Sequence, residues 1–155
     1  MSELRITPER AGGPLALALL ARYYAELDSR FPGGFELERT VAAPADELTP
    51  PRGLFLVATL DGAAVGCGAV RLLDADVAEI KRMWVDPGAR GAGVGRALLA
   101  SLEAGAVELG AHAVRLDTAA SLTEALGLYR SAGYREIAAY NDNPYAAHWL
   151  ERSLD

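Results

Sequence analysis

Sulfur, imidazole and long apolar runs are scarce in this 155-residue chain, and each scarcity removes a class of function. Cys67 is the single cysteine, so no intrachain disulfide can form, and its setting in VGCGAV reads as a small apolar strand residue. That suits a reducing compartment, and the expected location is cytoplasmic. The two histidines, His112 and His148, stand apart with no Cys, His or Asp at ligand spacing, so no metal is expected. The apolar run Pro14 to Ala21 is too short to span a bilayer, and with Glu3 and Glu9 ahead of it makes a poor signal peptide. Basic residues are outnumbered, 15 against 21, which argues against nucleic acid and against an anionic membrane surface. No G-x-S-x-G elbow is available to a serine hydrolase. Repeats and low-complexity tracts are also missing, and residues 1–155 read as one domain, large enough to bury roughly two-thirds of its unfolded surface.

What the chain does have is a glycine-rich segment, RGAGVGRALL from Arg90 to Leu99, where an apolar strand gives way to an amphipathic helix. Upstream, Ala78 to Val85 has strand composition, and Asp86-Pro87-Gly88 stops it. Downstream, Val94, Leu98, Leu102, Ala106 and Leu109 recur at helical spacing. The first amides of a helix lack partners and carry the positive end of its dipole, and glycine lets phosphate oxygens approach them. A metal-bound triphosphate is not implied, because Gly95 is followed by Arg96-Ala97 rather than Lys and Ser or Thr. A dinucleotide fingerprint fails on spacing: its last glycine slot falls on Arg96 or Leu98. Lys81, Arg82, Arg90 and Arg96 face only Asp86 between positions 81 and 96, a local positive patch suited to an anionic ligand.

Around that loop the pattern predicts a strand near residues 4–6, a helix over 14–29 and an irregular, proline-bearing stretch over 31–51 that covers a substrate or moves. Apolar runs at 54–60 and 63–72 are joined by the hairpin signal Asp61-Gly62, and a third follows at 77–85. A helix over 93–109, a strand over 113–117 and a helix over 122–132 make a right-handed parallel β-α-β passage, and strands at 134–139 and 146–153 close the sheet. The fold class expected is α/β (α+β): one mixed sheet of six to seven strands, antiparallel in its first half with one parallel pair, and helices on both faces.

Arg-x-x-Gly-x-Gly (Arg90, Gly93, Gly95) after a strand resembles the pyrophosphate loop of the GCN5-related N-acetyltransferase (GNAT) family. The segment VRLDTAASLTEALGLYRSAGYREI resembles the family's next strand and helix with its Leu-Tyr-x-x-x-Gly-Tyr ending. Two motifs in this order, about thirty residues apart, are more specific than either alone. The resemblance implies acetyl-coenzyme A (acetyl-CoA) as co-substrate and an amine acceptor, either a small molecule or a peptide. It assigns the cofactor to residues 91 to 96 (Gly91, Ala92, Gly93, Val94, Gly95 and Arg96), to Arg90, and to backbone groups of Met83, Trp84 and Val85, which the pantetheine arm pairs with where the central strand splays from its parallel neighbour. Many members carry an asparagine seven residues before the helix tyrosine; here that slot is Leu122, with Ser121 and Thr123 beside it.

An alkyl ammonium has a reference pKa of ~10 and must lose a proton before it attacks a thioester, so a base is needed. By resemblance the candidate is Glu79, and strand alternation would put Glu79, Lys81, Met83 and Val85 on one face. The other reading of Glu79 is an edge glutamate paired with Lys81 or Arg82. The resemblance makes Tyr129 the acid that protonates the departing thiolate; its other reading is helix packing with Leu122 and Leu126. On the acceptor side Tyr23, Tyr24, Phe31, Tyr140, Asn141, Asn143 and Tyr145 are candidates. A non-catalytic acyl-CoA sensor would keep the Arg90 to Arg96 loop without needing Glu79 or Tyr129, and both a longer acyl group and a homodimer stay open.

Overall fold

Asp61 and Gly62 both adopt positive φ, 52° and 87°, the pairing a two-residue hairpin needs to match strand twist. They join β2 (Gly53–Leu60) to β3 (Ala63–Leu72), the centre of a computed structural model that describes residues 2–155. Before them come β1 (Leu4–Pro8) and α1 (Pro14–Arg30); after them come β4 (Val77–Val85), α2 (Val94–Glu108), β5 (Ala113–Thr118), α3 (Thr123–Ser131), β6 (Arg135–Glu136) and β7 (His148–Ser153). The seven strands form one mixed sheet in the order β1-β2-β3-β4-β5-β7-β6, antiparallel throughout except for the parallel β4–β5 pair.

Helices cover both faces. Leu19, Leu20 and Ala16 of α1 pack with Phe55, Val57, Ala69 and Trp84 on one side of the sheet. Leu98, Leu99, Leu102 and Ala106 of α2 pack with Leu56, Val70, Ile80, Val114 and Leu116 on the other. Leu98 and Leu102 are wholly buried, each contributing about 2 kcal/mol of apolar transfer. The helix lies close because Gly68 has no side chain: a Cβ there would stand 2.7 Å from Leu102 Cδ1.

Opposite Gly68 the sheet is irregular. Lys81 pairs with Ala69 and Trp84 with Cys67, so Arg82 and Met83 together face one residue of β3. Arg82 absorbs this bulge with φ 54°, a left-handed conformation unusual for a residue with a side chain. The bulge overturns simple alternation along β4. Lys81 and Arg82 both point to the α1 side, where Arg82 bonds Tyr24 and Ala43, whereas Met83 and Val85 pack with α2. Pairing of β4 with β5 stops at Glu79, opposite Arg115, and beyond it the two parallel strands separate.

Two further expectations need correction. The strand expected over 134–139 shrinks to Arg135–Glu136, and the one expected from residue 146 begins at His148. Ile137 still donates to the Trp149 carbonyl at 2.8 Å, but the chain then leaves the sheet, and Tyr140 and Asn141 turn inward.

Candidate active site

Two joined cavities open where β4 and β5 separate. The larger, about 420 Å3, has Met83, Trp84 and Val85 along one wall and Arg90, Gly91, Gly93, Val94, Gly95 and Arg96 at its far end. Ala92 does not line it. Asp86 starts the loop by accepting a hydrogen bond from the Gly88 amide at 2.8 Å. Gly91 and Gly93 follow with φ 89° and 79°, and Gly93 is the N-cap of α2 with no side chain to occupy the helix end. The amides of residues 91 to 96 donate to no group among the described residues, which leaves a cluster of free N–H donors at the positive end of a 15-residue helix. This is an anion cradle.

Its charge is tempered from the α1 side. Glu26 accepts from Arg90 Nη2 at 2.8 Å and from Trp84 Nε1 at 3.0 Å, and pairs with Arg30 at 3.1 Å. Burial alone would raise the Glu26 carboxyl, but the Arg90 and Trp84 hydrogen bonds and the two guanidinium charges hold it below the usual carboxylate range. Arg96 reaches across to Ser131 Oγ of α3 at 3.3 Å.

The second cavity, about 100 Å3, lies towards residues 31–41. Tyr23, Met83, Leu122, Ala125 and Tyr129 line both cavities and form the neck between them. Tyr129 is buried to 5 % exposure and stacks at a tilt on Tyr134, while its hydroxyl, which makes no hydrogen bond to the described residues, opens on the cavities. Burial, with the nearby Asp117 charge, pushes its phenol well above the ordinary value, so it holds its proton at any working pH. Leu122, in the slot of the family's asparagine, caps α3 through its backbone and offers only its apolar side chain to the neck.

Three charged residues line the smaller cavity: Lys81, Arg82 and Asp117. Asp117 sits at the end of β5, its two oxygens accepting from Asn141 Nδ2 at 2.7 Å and Asn143 Nδ2 at 3.1 Å. The cavity also has an aromatic wall of Tyr24, Phe31, Phe35 and Tyr145, with Phe35 and Tyr145 ring centroids 4.8 Å apart. Of the acceptor-side candidates, Tyr23, Tyr24, Phe31, Asn143 and Tyr145 line this space. Tyr140 and Asn141 stand behind it, bonded to Glu79 and Asp117.

Glu79 lines neither cavity. It is 1 % exposed, one oxygen held by Arg71 and the other by the Tyr140 hydroxyl at 2.7 Å. It is therefore neither an edge residue nor paired chiefly with Lys81 or Arg82: Lys81 Nζ is 4.0 Å away. Sequence reasoning missed Asp117 and Phe35. Asp117 had one available signal, a carboxylate at the carboxyl end of a parallel strand beside the split, where ligands of such sheets gather. Phe35 lay in a stretch without periodicity.

A family model described as the acetyltransferase (GNAT) family matches residues 20–134. The chain is 35 % identical over 133 residues to a protein of Azospirillum brasilense named IAA acetyltransferase, covering 83 % of this chain and 86 % of that one. Among solved structures, a GNAT-family acetyltransferase of Staphylococcus aureus superposes with TM-score 0.80 at 18 % identity, over 99 % of this chain and 100 % of that one. A GNAT-family acetyltransferase of Elizabethkingia anophelis, solved with acetyl-CoA bound, superposes with TM-score 0.68 at 21 % identity, over 97 % of each chain.

Proposed function

The chain belongs to the acetyltransferase (GNAT) family and is an N-acetyltransferase; on that premise we propose that it transfers an acetyl group from acetyl-CoA to a primary amine by direct attack in a ternary complex. The observation that carries this reading is the shared neck. A pantetheine arm laid along Met83–Val85, with its pyrophosphate on the amides of residues 91 to 96, ends its thioester at the five residues common to both cavities. An amine entering from the smaller cavity meets it there. The reacting atoms are then held together, which is the main requirement of a two-substrate transfer.

In the step itself the amine nitrogen attacks the thioester carbonyl, the C–N bond forms, and the tetrahedral oxyanion is held by a backbone amide of the split strand. The C–S bond then breaks and the sulfur takes a proton. Tyr129 supplies it: its hydroxyl makes no hydrogen bond to the described residues and opens on the neck. Burial that raises the phenol raises a thiolate in the same place, so the two remain matched enough for transfer.

Two carboxylates stand as proposed acceptors of the amine's proton. Asp117 is supported by its place in the cavity wall; each oxygen spends one lone pair on an asparagine and keeps another for an N–H. Glu79, enclosed by Arg71 and Tyr140 and lining neither cavity, is the second candidate and would receive that proton only through an intervening water. A panel of primary amines with acetyl-CoA, followed by release of free thiol, tests the function. Thiol release that depends on the amine supports transfer. Cofactor binding without release from any amine supports the sensor reading instead.

A further inference from the structure

Lys81 is the only lysine among the chain's 15 basic residues, and it occupies an unusual place. It is 8 % exposed and lines the smaller cavity, and its ammonium, which makes no hydrogen bond to the described residues, is not sealed in the core but opens on that cavity. The nearest acid, Glu79, is 4.0 Å off, and the oxygen facing Lys81 is already held by Arg71. A largely buried side chain that brings an uncommitted ammonium to a cavity wall is placed to hold a ligand anion through a charge-assisted hydrogen bond. Arg82 is next to it because the β4 bulge turns both cations to one side. Its Nε and Nη1 are committed to Tyr24 and Ala43, while Nη2, without a hydrogen bond to the described residues, is left accessible beside the cavity.

The charge count agrees. Lys81 and Arg82 against Asp117 leave the cavity wall with one net positive charge. An amino carboxylate whose amine has lost its proton, the reactive form, carries one negative charge. Resting on the proposed acetyl transfer, we infer that the acceptor is an amino acid: its carboxylate is held by Lys81 and Arg82, its amine faces Asp117 and the neck, and an apolar or aromatic side chain lies on Tyr24, Phe31, Phe35 and Tyr145. A ligand of that size suits the small cavity better than a folded protein surface does.

The test compares phenylalanine, tryptophan, leucine and methionine, each with its carboxamide and its decarboxylated amine, using acetyl-CoA and thiol release. The carboxamides hold the more easily deprotonated amines, so preference for the acid cannot come from amine reactivity. At least one acid should exceed its carboxamide by about tenfold or more in kcat/KM, the scale of one charged hydrogen bond. Lys81→Met should raise KM for that acid by roughly tenfold with the carboxamide nearly unchanged, and Lys81→Arg should recover part of the loss. The substrate pairs need only the unaltered protein and decide the matter even if Lys81→Met does not fold. Acids no better than carboxamides, with thiol still released, overturn the inference and leave acetyl transfer standing. Calorimetric binding of an acid that needs Lys81, without thiol release, supports the carboxylate site and removes the transfer. Neither binding nor release by any of the twelve compounds overturns both.

Discussion

Arg71 and Glu79 form a buried ion pair at 3.0 Å across adjacent antiparallel strands, directly paired in register on the α1 side of the sheet. Glu47 adds a second carboxylate to Arg71 at 2.9 Å, and Tyr140 closes the far side of Glu79. A pair so enclosed fixes the strands that carry the cavity wall.

Removing its negative charge separates scaffold from chemistry. Glu79→Gln should lower unfolding stability by about 3 kcal/mol, since Arg71 keeps Glu47 but loses its buried partner, while kcat falls less than about tenfold. Asp117→Asn should leave stability nearly intact and lower kcat by roughly 10² near neutral pH, the loss shrinking as pH rises towards the acceptor's own pKa. Thermal melts with pH–rate profiles read both. If the two variants exchange behaviour, Glu79 is the base.

Tyr129→Phe keeps the ring that packs on Tyr134 and removes the unpartnered hydroxyl. Cofactor affinity and melting temperature should change little, and kcat should fall by about tenfold or more, as expected for a contact used in the transition state. A wild-type rate when chemistry is rate-limiting makes Tyr129 a packing residue.

Gly93→Asp introduces a carboxylate among the free amides of the loop at a position with φ 79°. Acetyl-CoA affinity by calorimetry should weaken at least tenfold, about 1.4 kcal/mol, in a variant that circular dichroism shows to be folded. Unchanged affinity removes the phosphate from this loop.

High pH should unfold the protein sooner than its neutral stability suggests. Burial pushes Cys67 up to about 12 and raises Tyr23, Tyr129, Tyr134 and Tyr140 further above their ordinary values. In the unfolded chain these groups ionise near ~8.5 for the thiol and ~10 for the phenols. Above those values the unfolded state binds fewer protons than the native one, so stability falls as pH rises, by up to about 1.4 kcal/mol per pH unit for each group. Buried Lys81, lowered first by desolvation, acts in the opposite sense but is one group against five. Urea titrations at pH 7, 9, 10 and 11 should show the midpoint dropping once pH passes about 9.

What could be read in the sequence was what neighbours along the chain determine. The hairpin at Asp61-Gly62, the start of α2 after Gly93 and the placement of Tyr129 on α3 all follow from turn chemistry and helical spacing over a few residues. The bulge at Arg82 does not, because it arises from how β4 meets Gly68 on another strand. Glu79 was legible as a residue on the central strand, but its enclosure by Arg71 and Tyr140 depends on residues 8 and 61 positions away, and Arg71 is held in turn by Glu47. The short β6 has the same origin: Tyr140 and Asn141 are drawn under the sheet by Glu79 and Asp117, and the local strand pattern gives way to those bonds.

Under the proposed transfer, the neck common to both cavities works as a ruler. Its five residues, Tyr23, Met83, Leu122, Ala125 and Tyr129, leave donor and acceptor a single length to divide between them. In that transfer each methylene added to the acyl chain would extend past Tyr129 into room the amine would occupy. Donor chain length and acceptor bulk are therefore traded against each other, so the largest acceptors demand the shortest acyl group.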